Sequence, residues 1–219
     1  MGETVTLTAA DGHVLTAFRA GPEGAAKSLV VVQEIFGVNS HMRRVCDSFA
    51  ALGFRVIAPA LFDRVGPGIE LGYAPEDVAK GRDLRGRIDD AAVMLDVDAA
   101  AGAIDGSRGI VGYCWGGTVA WWGATRSHRF GAAVGWYGGG IAGTRTEAPT
   151  CPVQLHFGET DGGIPLSDVE LIRQAQPKVE VFVYPGAGHG FGCDDRGSYD
   201  AGATTLATER TLAFLAAHL

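Results

Sequence analysis

Apolar positions along this chain follow two alternating periods, and the switches between them outline its elements. Residues 5–7 and 14–18 are separated by Asp11-Gly12, which predicts an opening hairpin whose first strand covers residues 4–8. Residues 28–33 form an almost unbroken apolar run, the mark of a strand covered on both faces. Ser40 suits a helix cap, and Met42, Val45, Phe49 and Leu52 then return at the spacing of one helical face. Gly53 closes that helix, and residues 54–58 give the next strand. Leu84, Ile88, Ala91 or Ala92, and Leu95 predict a second helix. Further strands fall at residues 108–112, 132–136, 153–157 and 179–184. A helix starts near Trp115, and a closing helix carries Leu206, Leu212, Leu215 and Leu219 near one face.

Repeated strand–helix alternation specifies a mostly parallel sheet flanked by helices, an α/β architecture. Ligands of such sheets bind at loops beyond the carboxyl ends of the strands. Those loops are the place to look for chemistry.

Composition narrows the class. The 219 residues are 47% apolar and 20% charged, the balance of a soluble globular chain, and residues 1–219 are expected to form one domain. A net charge of −7 argues against nucleic acid or an anionic membrane as partner. No stretch reaches the roughly 20 apolar residues of a spanning helix, and the start lacks the basic-then-apolar pattern of a secretory signal. Met1-Gly2 with Thr6 formally fits an acylation pattern, but no basic patch follows to complete an anchor, and the segment reads as a strand. Cys46, Cys114, Cys151 and Cys193 have no CxxC spacing, which suits reduced thiols in a cytoplasmic setting. A Cys151–Cys193 disulfide is chemically open, but the spacing does not single it out. No H-x-x-x-H or clustered Cys/His pattern points to a metal, and none is expected. Without sustained heptads or a large apolar stripe, the expectation is a monomer.

The strongest motif is Gly112-Tyr113-Cys114-Trp115-Gly116-Gly117, directly after an apolar strand and before a helix. It has the form of the G-x-S-x-G nucleophile elbow with sulfur in place of the hydroxyl. Backbone N–H groups and the dipole at a helix N-terminus favour a thiolate there. The plainer alternative is a small buried cysteine in a glycine-rich turn. Asp161 follows the strand that ends at Phe157, and His189 follows the strand that ends at Tyr184. Alone, the first is a turn former and the second a loop residue. Together they supply nucleophile, acid and histidine in the chain order of an α/β-hydrolase triad. His156, inside a strand, reads as an interior residue.

Gln33-Glu34-Ile35-Phe36-Gly37-Val38-Asn39, Gly112-Tyr113-Cys114-Trp115-Gly116-Gly117, Asp161 and Gly188-His189-Gly190-Phe191 resemble the dienelactone hydrolases, in order and over nearly the whole chain. The resemblance implies a compact α/β-hydrolase fold without a large lid domain, and cofactor-free hydrolysis of a dienelactone in the breakdown of chloroaromatics. It assigns Cys114 as nucleophile, His189 as base and Asp161 as the acid that orients it. It gives Glu34 a role in taking the thiol proton once substrate binds. A glutamate ending a buried strand is costly unless paired or used, so an ordinary ion pair with an arginine is the competing reading. The oxyanion hole would be the backbone N–H groups of Ile35 and Trp115. Family members hold the substrate carboxylate with arginines, one of them four residues after the histidine, where this chain has Cys193. Arg196 is the nearest arginine, and Arg64, Arg82 and Arg85 are candidates for the other. Tyr73, Trp121, Trp122, Trp136 and Tyr137 are candidates to line an apolar pocket.

Two further functions compete with a small ester or lactone as substrate. One is a broader carboxylesterase or thioesterase on the same scaffold. The other is a non-catalytic, redox-sensing or ligand-binding protein in which Cys114 is a reactive thiol.

Overall fold

The computed structural model describes residues 2–219, and strand and helix alternate along it as the periodicity predicts. Met1, part of the acylation pattern, lies outside the described residues. The hairpin of β1 (Glu3–Thr8) and β2 (Val14–Ala20) pairs antiparallel, with Leu7 opposite Leu15. Next come β3 (Lys27–Val32), α1 (Ser40–Ala51) and β4 (Arg55–Pro59), then α2 (Pro75–Gly86) and α3 (Asp90–Gly102). The second half runs β5 (Ser107–Tyr113), α4 (Trp115–Arg126), β6 (Ala132–Trp136), β7 (Val153–Gly158), α5 (Leu166–Ala175), β8 (Glu180–Tyr184) and α6 (Ala201–His218). All eight strands join one sheet in the order β1-β2-β4-β3-β5-β6-β7-β8. From β4 onward every neighbouring pair is parallel.

The apolar runs become the strands covered on both faces. Leu29 to Val32 in β3 and all of β6 and β7 are buried. Helix α4, with Val119, Ala120, Trp121 and Ala124 inaccessible, lies against β5 and β6 as a core helix. The chain leaves β3 toward β4 and returns past it to β5, so the winding direction reverses between β3 and β5. Such a reversal opens a crevice at the carboxyl ends of the two strands. Here those ends lead into Gln33-Glu34-Ile35 and into Cys114. No separate lid domain stands over them among the described residues, and no helix there is long and apolar enough to cross a membrane.

Four expectations change. Asn39, not Ser40, caps α1: its Oδ1 accepts from the Met42 N–H at 3.2 Å, and its Nδ2 donates to the Leu71 carbonyl. The helix expected through Leu84 and Leu95 is two helices, because Asp89 turns the chain and caps α3 at the Ala91 and Ala92 N–H groups. Leu84 near the end of α2 and Ile88 in the turn are both buried, which is why their spacing reads as one face. Leu52 and Leu206 are exposed, at 58% and 42%, and α6 packs through Ala207, Thr211, Phe214 and Leu215 instead. Helix α5 has no counterpart in the sequence reading. The four cysteines are free thiols.

Candidate active site

Cys114 stands alone between β5 and α4, with φ 56° and ψ −117°. A positive φ is costly for a residue with a Cβ, and it persists only where the surroundings impose it. Here the Cys114 N–H donates to the Trp136 carbonyl at 3.0 Å, and the Cys114 carbonyl accepts from the Gly117 N–H at 2.9 Å. The turn closes so tightly that a Cβ on Gly112 would lie 1.8 Å from the Gly116 carbonyl oxygen. Gly116 in turn lets α4 approach β3, where a Cβ would meet the Val32 carbonyl oxygen at 2.3 Å. Strand, turn and helix thus place the half-buried Cys114 at the reversal point of the sheet.

The loops after β7 and β8 bring the other two members to it. His189 Nε2 lies 3.1 Å from Cys114 Sγ, and its Nδ1 lies 2.7 Å from Asp161 Oδ2. The Asp161 side chain is fully inaccessible, and its Oδ1 accepts from the Gly163 N–H at 2.8 Å. Ser198 donates to the His189 carbonyl at 2.7 Å, and the Tyr137 ring meets the imidazole edge-on. Burial alone would lower the His189 pKa, but hydrogen bonds to Asp161 and Cys114 outweigh it and push the pKa up to about 10. The same two bonds stabilise the imidazolium that forms when Nε2 takes a proton from the sulfur.

The backbone N–H groups of Ile35 and Trp115 follow the ends of β3 and β5. Among the described residues neither donates to a backbone acceptor. Trp115 is also the first residue of α4, so its N–H sits at the positive end of the helix dipole. Both residues line a cleft of about 520 Å³ that also contains Cys114 and His189. Trp122 and Ile164 add apolar surface to it.

The arginines divide. Arg64 lies away from the cleft, held by Asp96 through two bonds of 2.7 Å and by Asp11 at 2.8 Å. A buried carboxylate on α3 has claimed it, so it is not placed to hold a substrate. Arg82, Arg85 and Arg196 do line the cleft. Arg85 is engaged with Asp90, and its guanidinium lies 5.0 Å from the centroid of the Trp115 ring. Arg196 Nη1 is 3.4 Å from Glu34 Oε1, and the Tyr73 hydroxyl donates to Glu34 Oε2 at 3.2 Å. Arg82 has no ion pair among the described residues and is the uncommitted cation of the cleft.

Glu34 is fully buried and pairs with Arg196. Cys193 is buried against Tyr73 and does not line the cleft. Tyr73, Trp121, Trp136 and Tyr137 pack in or against the core rather than lining the cleft, unlike Trp122. Ser198 and the bond from Tyr73 to Glu34 escaped the sequence reading, since both lie in aperiodic loops.

The profile of the Dienelactone hydrolase family matches residues 15–219. The carboxymethylenebutenolidase of Pseudomonas putida is 32% identical, with 98% of this chain and 96% of that protein covered. A protein of Synechocystis sp., named as a candidate carboxymethylenebutenolidase, is 37% identical over 83% of this chain and 82% of its own length. A solved structure of a candidate dienelactone hydrolase from Klebsiella pneumoniae superposes with a TM-score of 0.83 and 32% identity, covering 98% of this chain and 99% of that one.

Proposed function

Because the chain belongs to the dienelactone hydrolase family and is a hydrolase acting on carboxylic esters or lactones, we propose that it opens its substrate by acyl transfer to Cys114. The observation that carries this reading is the continuous chain from Sγ through His189 to Asp161, at 3.1 and 2.7 Å. His189 Nε2 takes the thiol proton as sulfur attacks the carbonyl carbon. The oxyanion faces the N–H groups of Ile35 and Trp115, where a single donor is worth roughly 100- to 1000-fold in rate. When the carbon–oxygen bond breaks, the leaving oxygen takes the proton back from His189. Water, deprotonated by the same imidazole, then hydrolyses the thioester and frees the thiol.

Glu34 holds Arg196 at the edge of the cleft through one carboxylate oxygen and accepts from Tyr73 at the other. Arg82 is the side chain we assign to a substrate carboxylate. A wider carboxylesterase reading is favoured by one observation: Arg196 is already committed to Glu34, so a single uncommitted arginine faces the cleft.

The test is hydrolysis of a dienelactone beside p-nitrophenyl acetate, in the wild type, Cys114→Ala and Arg82→Met. Lactone turnover that needs Cys114, with a raised KM in Arg82→Met for the lactone alone, supports the proposal. Turnover of the neutral ester without the lactone would keep the thiol mechanism and replace the substrate class. No Cys114-dependent turnover of either would overturn the mechanism.

A further inference from the structure

Behind the triad, three side chains with metal-binding chemistry converge from distant parts of the chain. The Glu34 carboxylate, a ring nitrogen of His41 and Sγ of Cys193 lie within 4.8 Å of one another. Glu34 lies two residues past the end of β3, His41 sits in the first turn of α1, and Cys193 follows His189. All three residues are buried, at 0%, 4% and 0% exposure. His41 Nδ1 is paired with Asp194 Oδ1 at 3.1 Å, and Arg44 holds that aspartate at 2.9 Å. Nε2 is therefore the nitrogen left for a ligand, and it is buried with no hydrogen-bond partner. An idle buried polar atom is costly, and a cation would satisfy it.

We propose that Glu34, His41 and Cys193 form a site for a divalent cation of borderline softness, best matched by Zn²⁺. Thiolate, imidazole and carboxylate together are zinc's ligand set, and a carboxylate behind the histidine is its usual outer support. Magnesium and calcium prefer oxygen throughout and would leave the sulfur unused. Tetrahedral bonds of about 2.0–2.3 Å place ligand atoms about 3.3–3.8 Å apart, so the three need to close by only about 1 Å. Binding exchanges the Cys193 S–H bond for a metal–sulfur bond and releases the proton to solvent. The new thiolate and the Glu34 carboxylate then balance the two charges of the cation, while Asp194 stays paired with Arg44. A second grouping, His41 with Asp194 and Asp195, carries no such site: both carboxylates are exposed and already paired with Arg44 at 2.9 Å.

Occupancy ties the loop bearing His189 to the end of β3 and draws Glu34 away from Arg196. On the reading of the site given above, that slows turnover, so the cation acts as an inhibitor rather than as part of the chemistry.

Co²⁺ is the probe, because a cobalt–thiolate bond adds a charge-transfer absorption in the near ultraviolet that is read without any turnover. The host is Cys114→Ala, which removes the competing catalytic thiol. One equivalent of Co²⁺ should develop the band, and Zn²⁺ should abolish it. Adding Cys193→Ser should remove it, and adding Asp194→Asn should weaken binding about tenfold or more through the lost outer support. Asp194 is half-exposed, so that variant reads the site even where Cys193→Ser fails to fold. A band that survives Cys193→Ser in folded protein, or no band at a hundredfold excess of Co²⁺ over Cys114→Ala, would overturn the proposal. Neither outcome depends on whether Cys114 is the nucleophile.

Discussion

In Asp161→Asn the side chain keeps its shape and loses its charge. Asp161 Oδ1 accepts from the Gly163 N–H, and Oδ2 faces His189 Nδ1. An asparagine that keeps its oxygen on the Gly163 N–H must turn its NH₂ toward Nδ1. That forces Nδ1 to accept and moves the imidazole proton to Nε2, the nitrogen facing Cys114 Sγ. An imidazole in that tautomer cannot take the thiol proton. In serine-hydrolase triads the equivalent fault costs about 10⁴ in kcat. Here the same geometry predicts a loss of about 10³–10⁴, or roughly 4–5.5 kcal/mol of transition-state stabilisation. KM for p-nitrophenyl acetate should barely move, because Asp161 is buried and touches no substrate. Steady-state kinetics from pH 6 to 10 reads the rate, NMR titration of His189 should show its pKa falling from about 10, and thermal unfolding checks the fold. A kcat/KM within tenfold of wild type, with an unchanged His189 titration, would refute the orienting role of Asp161.

Gly112→Ala should abolish folded protein or destabilise it by about 3 kcal/mol or more, since the new methyl meets backbone that cannot swing aside; urea unfolding or expression yield reads this. Arg196→Met should lower stability by roughly 3 kcal/mol by leaving buried Glu34 with Tyr73 alone, whereas Arg82→Met should leave the thermal midpoint within a degree or two. His156 is packed between Tyr184, Gln154 and Thr211, and burial together with the charge of Arg210 lowers its pKa to about 3. Its neutral form is the folded one, so its share of stability is complete above about pH 6.5 and is lost as pH falls toward 3. The wild type should therefore lose more stability between pH 6.5 and 4.5 than His156→Gln does, measured by denaturant unfolding at each pH.

How much of this was legible depended on the range of the interaction. The strands from residue 28 and residue 132 announced themselves because burial on both faces demands unbroken apolar runs. The elbow was legible because its glycines, the cysteine and the following helix are neighbours in the chain. Asp161 and His189 gained meaning from their places at strand ends, and the fold brings both to Cys114. What failed was of two kinds. Locally, Asn39 and Ser40 are both good caps, and only the reach to the Met42 N–H decides between them. At long range, the fate of an arginine is set by whichever carboxylate the fold delivers. Asp96 on α3 and Asp11 in the hairpin turn claim Arg64, while Glu34 claims Arg196. The meeting of Glu34, His41 and Cys193 is of the same kind, with no local spacing to reveal it.

An acyl group carried on Cys114 is the direct mark of the proposed mechanism. Wild type mixed with p-nitrophenyl acetate, quenched in acid within the first turnover and digested, should yield the peptide containing Cys114 with an acetyl group on sulfur, and Cys114→Ala should yield none and lose turnover. Acetylation at another residue during turnover, or undiminished hydrolysis by Cys114→Ala, would contradict it.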